Sequence, residues 1–104
     1  MKKYRILISK KAENDINNII DYIVFELKNK NAAINLNIKF KEVILLLKEM
    51  PQRHPLVQEN YLYKQGYRKI IVENFIIFYL ISEVNNTVNI IRILSNRRNW
   101  IELL

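Results

Sequence analysis

Residues 67–101, YRKIIVENFIIFYLISEVNNTVNIIRILSNRRNWI, decide the fold of this chain. β-Branched and aromatic residues dominate three runs within them, which predict strands over 68–73, 75–81 and 88–94. The runs are separated by Glu73-Asn74 and by a second turn containing Asn85-Asn86, and asparagine tolerates the left-handed backbone angles of tight turns. Because the middle run is apolar throughout, we expect it to be a central strand that is covered on both faces.

The residues before these strands predict one more strand and a helix. Over 4–8, Tyr4, Ile6 and Ile8 alternate with Arg5 and Leu7, which is typical of a short strand. Ser9 is a good N-cap residue, and the apolar residues that follow it recur every three or four positions. This pattern predicts a first helix from Lys10 to about Asn29.

A second helix is predicted to begin at an Asn31 cap and to run to Met50. Pro51 ends it, because proline cannot continue the hydrogen-bond ladder. Apolar residues lie on two sides of this helix, and we expect both sides to be buried. The second side is formed by Ile34, Ile38 and Leu45.

The stretch 51–66 contains both prolines and the single glycine of the chain. An irregular loop of this length is uncommon in a compact domain. The sequence leaves two alternatives open here, a functional loop or a short strand around 61–63.

Together these elements predict one domain over residues 1–104 with the order β-α-α-β-β-β. It is an α+β fold in which a helical hairpin packs on one face of a mainly antiparallel four-stranded sheet. Half of the residues are hydrophobic, which is enough for one core.

Composition excludes several kinds of chemistry. The chain has no cysteine and one histidine, His54, so a disulfide, a thiolate metal site and a pair of catalytic histidines are excluded. No phosphate-binding glycine loop, metal-ligand spacing or paired-carboxylate arrangement is evident, and we expect no metal and no cofactor. The N-terminus lacks the apolar run of a signal peptide, and no stretch reaches the roughly 20 apolar residues that span a bilayer. We therefore expect a cytoplasmic protein without a membrane partner.

The formal net charge is +7, which has two interpretations. Charge of this size can serve solubility alone, or it can attract a polyanion such as nucleic acid or an acidic protein segment. Residues 1–11 carry five cations and no acid, and residues 64–98 carry six cations against Glu73 and Glu83. This uneven distribution favours the second interpretation, a polyanionic partner.

Four arginines are candidates for a basic rim on the predicted sheet: Arg68, Arg92, Arg97 and Arg98. Arg92 lies in an apolar strand, where we expect it to share a face with Val88, Ile90 and Leu94. Its head must reach either solvent or an anion, so it is either an end-of-strand residue or a clamp for phosphate or carboxylate. Neighbouring strand positions point to opposite faces, so Arg68 and Lys69 cannot both serve one site.

The remaining candidates are aromatic or titratable. His54 is interpreted as a surface residue and less readily as a base. Tyr61, Tyr63, Tyr67 and Tyr79 suit core packing better than stacking on bases, although stacking is the functional alternative. Trp100 is expected to close the core edge or to insert into a partner. If the chain is an enzyme, these groups fit metal-independent phosphodiester cleavage, in which cations stabilise the pentavalent phosphate.

The sequence resembles the RelE/ParE superfamily of bacterial type II toxins over nearly its whole length. The resemblance lies in KKAENDINNIIDYI, LLKEMP, GYRKIIVENFIIFYLI and VNIIRILSNRRNW, in this order and spacing. It implies the fold derived above and a growth-inhibiting toxin that is neutralised by a cognate antitoxin. Such antitoxins wrap an acidic, amphipathic segment around the toxin, so a toxin–antitoxin hetero-oligomer is expected.

Two activities are implied by the superfamily. RelE-like members cleave mRNA on the ribosome, and ParE-like members inhibit DNA gyrase. RelE-like nucleases use basic residues on central strands and a late tyrosine or histidine. Here the matching central position is Ile76, and neither residue type follows Arg98, whereas Arg97 matches the late arginine of the family.

These departures favour gyrase inhibition over ribosome-dependent RNA cleavage. For a gyrase inhibitor, the resemblance and the charge pattern indicate a target-binding set of Arg92, Arg97, Arg98 and Trp100. For a nuclease, the phosphate-binding set becomes Arg68, Lys69, Arg92 and Arg97. A third possibility is a harmless basic interaction module.

Overall fold

Four strands form a single mixed sheet in the computed structural model, which describes residues 2–104 apart from the side chain of Ile101. The strand order is β1-β4-β3-β2, in which β1 pairs parallel to β4 and the other neighbours are antiparallel. The predicted α+β fold with a mainly antiparallel sheet is confirmed. Parallel neighbours cannot be joined by a tight hairpin turn and need a long crossover connection. Here the chain between β1 and β4 includes both long helices. The strands are β1 Arg5–Ile8, β2 Arg68–Val72, β3 Phe75–Ser82 and β4 Thr87–Ser95.

The first helix, α1, spans Lys10–Asp21 and begins where the sequence predicts. The Ser9 hydroxyl accepts the Ala12 N–H at 3.0 Å and satisfies one of the unpaired donors of the first turn. The α-helical hydrogen bonding ends earlier than predicted, because one π-helical turn over Tyr22–Glu26 replaces the last part of the helix.

The second helix, α2, spans Lys30–Leu46 and is shorter than predicted at its C-terminus. Its cap is Asn29, whose side-chain oxygen accepts the Ala32 N–H at 3.1 Å, rather than Asn31. Its last residue is Leu46, and Met50 has a left-handed conformation with φ of 51° directly before Pro51. The expectation that both apolar sides are buried is wrong. Exposed fractions of 48%, 47% and 55% are found for Ile34, Ile38 and Leu45.

The stretch 51–66 folds into two short helical turns and contains no strand. A 3₁₀ turn spans Pro51–Arg53, and a third helix, α3, spans Asn60–Gln65. The predicted alternative of a strand around 61–63 is therefore wrong. Leu62 is buried, whereas its neighbours Tyr61 and Tyr63 are exposed. The Tyr63 N–H donates to the Glu59 carbonyl at 2.7 Å, which is the hydrogen bond of an α-helix.

The sheet has two covered faces. We call the side that packs on α1 and α2 the helix face; its strand residues include Ile77, Tyr79, Val88 and Ile90, all fully buried. The opposite side is the loop face, where Ile76, Phe78 and Leu94 are buried beneath α3 and the C-terminal residues. The prediction that β3 is central and covered on both faces is confirmed.

Candidate functional site

Arg92 is placed by an irregularity in the pairing of β3 with β4. Phe78 pairs with Arg92 while Tyr79 pairs with Ile90, so Ile91 is an extra residue that forms a bulge. The bulge reverses the alternation of side chains after it. Arg92 therefore shares the loop face with Leu94 and not with Val88 and Ile90, contrary to the sequence-based expectation.

The Arg92 guanidinium is bound within the chain. Its Nε and Nη2 donate to the two carboxylate oxygens of Asp15 at 2.7 and 2.9 Å, and its Nη1 donates to the Leu103 carbonyl at 3.2 Å. The side chains of Arg92 and Asp15 are only 14% and 11% exposed. Hydrogen bonding to Asp15 raises the pKa of Arg92 above its usual value. The anion that an arginine in this strand requires is thus supplied by α1.

Asp15 also completes the edge of β4. Strand β1 ends at Ile8, so β4 has no neighbouring strand on that side beyond Ile90. The Ile93 N–H donates to the Asp15 carboxylate at 3.0 Å, which satisfies a backbone donor that would otherwise lack a strand partner. The carboxylate of Asp15 therefore links α1 to the edge of β4 and to the side chain of Arg92.

Lys69 and Arg92 lie in one row across the loop face, with Phe78 between them. Two strand spacings separate their backbones, roughly 10 Å. The Trp100 ring covers this row, with its centroid 5.1 Å from that of Phe78. The C-terminal residues thus fill the space where the two cations would have to converge on a phosphate. Trp100 closes the core edge, which is one of the two roles expected for it.

Arg68 lies on the helix face, paired with Tyr79, and holds the loop after α2. Its Nη1 donates to the carbonyls of Gln52 and His54 at 3.1 and 2.6 Å. Burial, together with the charges of Arg53 and Arg68, lowers the pKa of His54 below its usual value. The charged form of the His54 imidazole is therefore disfavoured. Arg68 binds backbone carbonyls of the chain and is not free to bind a partner.

Tyr79 also contacts the loop after α2, at Pro51 and His54. Its hydroxyl donates to the Pro51 carbonyl at 2.6 Å, and its ring meets that of His54 edge-on at 6.4 Å. Burial raises the pKa of Tyr79 to about 12. The hydroxyl consequently stays protonated, so the expectation that this tyrosine packs in the core is confirmed.

Arg97 and Arg98 occupy an exposed turn after β4. The turn is held by Arg98 N–H to the Ser95 carbonyl at 3.1 Å and by Asn96 N–H to the Asn74 carbonyl at 2.9 Å. Among the described residues, neither guanidinium contacts a carboxylate. Of the four arginines predicted to form one rim, only Arg97 and Arg98 are exposed, and they lie side by side.

A groove between β1, α1 and α2 was not predicted as a site. It encloses about 920 Å³, and the apolar part of its wall includes Ile6, Ile8, Ile16 and Ile44. Four cations border it, against one acid, Glu13. Of the second apolar side of α2, which was expected to be buried, only Leu45 lines this groove. The bordering cations are Lys3, Arg5, Lys41 and Lys48.

A family model for the ParE toxin of type II toxin–antitoxin systems, parDE, matches residues 6–100. The match covers nearly every element of the fold and both sets of candidate residues. This chain belongs to the ParE toxin family. The resemblance to the RelE/ParE superfamily is thereby confirmed.

Solved structures share the fold of this ParE-family toxin. A chain of the chromosomal ParDE system from P. aeruginosa superposes with a TM-score of 0.73 at 18% identity, covering 91% of this chain and 98% of that one. A chain of the toxin–antitoxin complex RelBE2 from Mycobacterium tuberculosis gives a TM-score of 0.61 at 18% identity, covering 89% and 98%. An archaeal RelE–RelB complex from Pyrococcus horikoshii gives 0.57 at 12% identity, covering 94% and 99%. Among curated protein sequences, none matches the chain.

Two further features of the ParE-family toxin bear on its chemistry. Within the described part of the chain, no group of three or more histidine, aspartate or glutamate side chains is arranged to hold a metal ion. No helix among the same residues is long and apolar enough to cross a membrane.

Proposed function

We propose that this toxin inhibits growth by binding DNA gyrase, and that it acts without chemistry of its own. The observation that carries this proposal is the commitment of Arg92 to Asp15 and Leu103, together with the covering of the loop face by Trp100. An arginine used in this way positions the C-terminal segment. Of the three arginines in the predicted target-binding set, the exposed Arg97 and Arg98 then remain for a target.

The four residues of the predicted phosphate-binding set lie too far apart to act together, which is an argument against catalysis. Arg68 lies on the helix face and Lys69 on the loop face. Arg92 is paired, and Arg97 lies in a turn beyond the end of β4. General acid–base catalysis needs a group within hydrogen-bond reach of the reacting oxygen. His54 and Tyr79 are the nearest candidates by type, but both belong to the cluster that holds the loop after α2.

The alternative is a RelE-like ribonuclease that acts on mRNA in the ribosome. It is favoured by one observation, that Lys69 and Arg92 lie in the same row of the loop face. For these residues to meet a phosphate, Trp100 would have to leave Phe78 and the Asp15 pair would have to open. A harmless interaction module is the third candidate, and it has no observation of its own in its favour.

A cognate antitoxin is part of this proposal. The similar structures come from a ParDE system and from RelBE2 and RelE–RelB complexes. A net charge of +7 suits an acidic antitoxin segment, and a toxin–antitoxin hetero-oligomer is the expected resting form. Because gyrase, ribosomes and mRNA are cytoplasmic in bacteria, we place the toxin in the cytoplasm.

The decisive experiment is pulse labelling of DNA and protein synthesis within minutes of inducing the chain alone. Gyrase inhibition predicts that DNA synthesis falls while translation continues, and that purified toxin blocks supercoiling by purified gyrase. If protein synthesis falls first and transcripts are cut, the ribonuclease alternative is correct. Unimpaired growth would leave only the interaction module.

A further inference from the structure

Two tyrosines of α3 are exposed, although the sequence favoured core packing for them. Leu62 belongs to the loop-face core and is 1% exposed, whereas Tyr61 and Tyr63 are 70% and 49% exposed. Successive residues of a helix are about 100° apart around its axis, so the two rings flank α3 on opposite sides. The exposed Lys64 lies between them on the outward side. The short helix is therefore a convex ridge with a ring on each flank and a cation on top.

The ridge continues into an exposed part of β2. Helix α3 ends only two residues before β2 begins. Lys69 pairs with Phe78 and Ile71 pairs with Ile76, and directly opposed residues of an antiparallel pair share a face, so both lie on the loop face. Ile71 is 65% exposed there. An aliphatic side chain thus remains open to a partner on the same face as the ridge.

The far end of β2 adjoins the turn that carries Arg97 and Arg98. Strand β2 ends one residue after the exposed isoleucine. The turns that follow β2 and β4 are joined by the Asn96 N–H, which donates to the Asn74 carbonyl at 2.9 Å. After the two arginines the chain passes onto the loop face, where the Trp100 ring packs. The ridge and the arginine turn therefore border the loop face at the two ends of β2.

The charge of this surface favours an acidic partner. Of the neighbouring acids, Glu73 is already paired with Lys39 at 3.0 Å, and Glu59 lies at the N-cap of α3. Four cations of the surface contact no carboxylate among the side chains that the structure describes, namely Lys64, Lys69, Arg97 and Arg98. A second copy of the chain does not suit the surface, because a symmetric pair would place the same cations against one another.

Shape favours a folded protein over a nucleic acid or an extended peptide. Proteins that bind single-stranded nucleic acid stack successive bases on aromatic rings along a groove. Tyr61 and Tyr63 flank a ridge on opposite sides, so they cannot form such a stack. Ile71 offers no contact to a phosphate, but it can pack on an apolar protein surface. Tyrosine and arginine are also the residue types that dominate binding energy in protein interfaces. A ridge requires a concave partner, which an isolated extended segment does not provide.

We propose that α3, the loop-face side of β2 and the Arg97–Arg98 turn form one contact surface for the protein target of the toxin. Tyr61 and Tyr63 enter an apolar cleft of the target, and carboxylates around the cleft meet the cations of the surface. The identity of the target as gyrase rests on the proposed function. The surface itself rests on the exposure and the charge of these residues.

The test compares a variant carrying both Tyr61→Ser and Tyr63→Ser with the control Tyr22→Ser. Tyr22 is 57% exposed on the π-helical turn after α1, on the helix side of the sheet. Serine and tyrosine have similar helix propensities, so both variants should keep the urea midpoint of the parent chain. With chain from cell-free synthesis and purified gyrase, the double variant is expected to bind about tenfold more weakly or worse. The control should bind like the parent chain.

A pair of lysine variants tests the charge of the surface. Lys64→Ala with Lys69→Ala should weaken binding to gyrase and reduce its dependence on salt. Lys28→Ala with Lys30→Ala removes the same charge beside the π-helical turn and should change neither. Equal effects of the two lysine pairs would mean non-specific attraction and would contradict the surface.

Growth inhibition after induction separates this proposal from the identity of the target. If the double tyrosine variant inhibits growth and binds gyrase as the parent chain does, the surface is wrong and the gyrase proposal stands. If the variant loses growth inhibition while the parent chain does not bind gyrase, the gyrase proposal is wrong and the surface serves another protein. A single-stranded oligonucleotide of about twelve nucleotides provides the last check. Tyrosine-dependent binding of this oligonucleotide, tighter than binding of gyrase, would overturn the proposal in favour of a nucleic acid.

Discussion

Arg92 and Asp15 lie 77 residues apart in the sequence and form the most buried ion pair described in this structure. Arginine binds a carboxylate through two parallel N–H groups, and this geometry is stronger than a single contact. The sequence indicated that the head of Arg92 must reach either solvent or an anion, but not which of the two. Helical periodicity alone cannot show that a strand edge passes beside Asp15.

Replacing Asp15 by asparagine is expected to destabilise the fold by about 3 kcal/mol, because Arg92 keeps a largely buried charge without its counter-ion. Urea denaturation measures the loss. The matched control is Glu73→Gln, which breaks the exposed pair with Lys39, whose side chains are 50% and 57% exposed. That control should cost less than about 1 kcal/mol. Equal losses for the two variants would show that the Arg92 pair has no special structural role.

His54 makes stability depend on pH. Its pKa is lowered in the folded chain by burial and by Arg53 and Arg68, whereas the unfolded value is near 6.5. The unfolded chain therefore binds more protons in this range, so stability is fully present above about pH 6.5 and falls as the pH drops toward the lowered value. Denaturation at pH 7.5 and 5.5 should show the loss, and His54→Gln should reduce it. The pKa of Glu83 is also lowered, but Glu83 changes stability only at more acidic pH, outside the range in which His54 titrates. An unchanged pH dependence in His54→Gln would contradict this assignment.

Single elements were predicted well where the periodicity was long and poorly where it was short. The strands β2, β3 and β4 were located to within a residue or two, because β-branched runs between turn residues suit only a strand. Helix α3 was missed because six residues are too few to display a helical period. The π-helical turn after α1 was missed because its apolar residues continue the α-helical spacing, while Tyr22 and Phe25 remain exposed.

Gly66 ends α3 in a left-handed conformation with φ of 88°. A methyl group at this position would meet no atom within 4 Å, so any cost comes from the backbone and not from a clash. Gly66→Ala is expected to destabilise the fold by about 1 kcal/mol, and Gly66→Asn by less, because asparagine tolerates this conformation. Thermal or urea denaturation of both variants provides the check. Equal losses would indicate that the side chain disturbs its surroundings instead.

At the scale of the whole molecule, the basic residues are divided among three places. Arg68 and Arg92 stabilise the fold, Arg97 and Arg98 are exposed in the turn after β4, and a third group borders the groove beside β1. Net charge alone could not distinguish these uses.

Alanine at both Arg97 and Arg98 is expected to abolish growth inhibition while changing the free energy of unfolding by less than about 0.5 kcal/mol, because both side chains are exposed. The measurements are colony formation after induction and urea denaturation. Lys10→Ala with Lys11→Ala removes the same charge from the exposed start of α1 and should leave inhibition intact. Full toxicity of the arginine variant would remove this turn from the target-binding surface.

The sequence by itself determined the four strands, the two long helices, their order and the family, because periodicity, caps and turn residues act over a few neighbouring positions. It also showed that the chain is strongly basic and that the head of Arg92 must reach solvent or an anion. Only the tertiary structure decided which arginines remain available. The bulge at Ile91 turns Arg92 to the loop face, the end of β1 leaves a strand edge for Asp15, and the crossing of α2 over β1 opens the groove. Each of these depends on contacts between distant segments, and no local pattern in the chain encodes which segments meet.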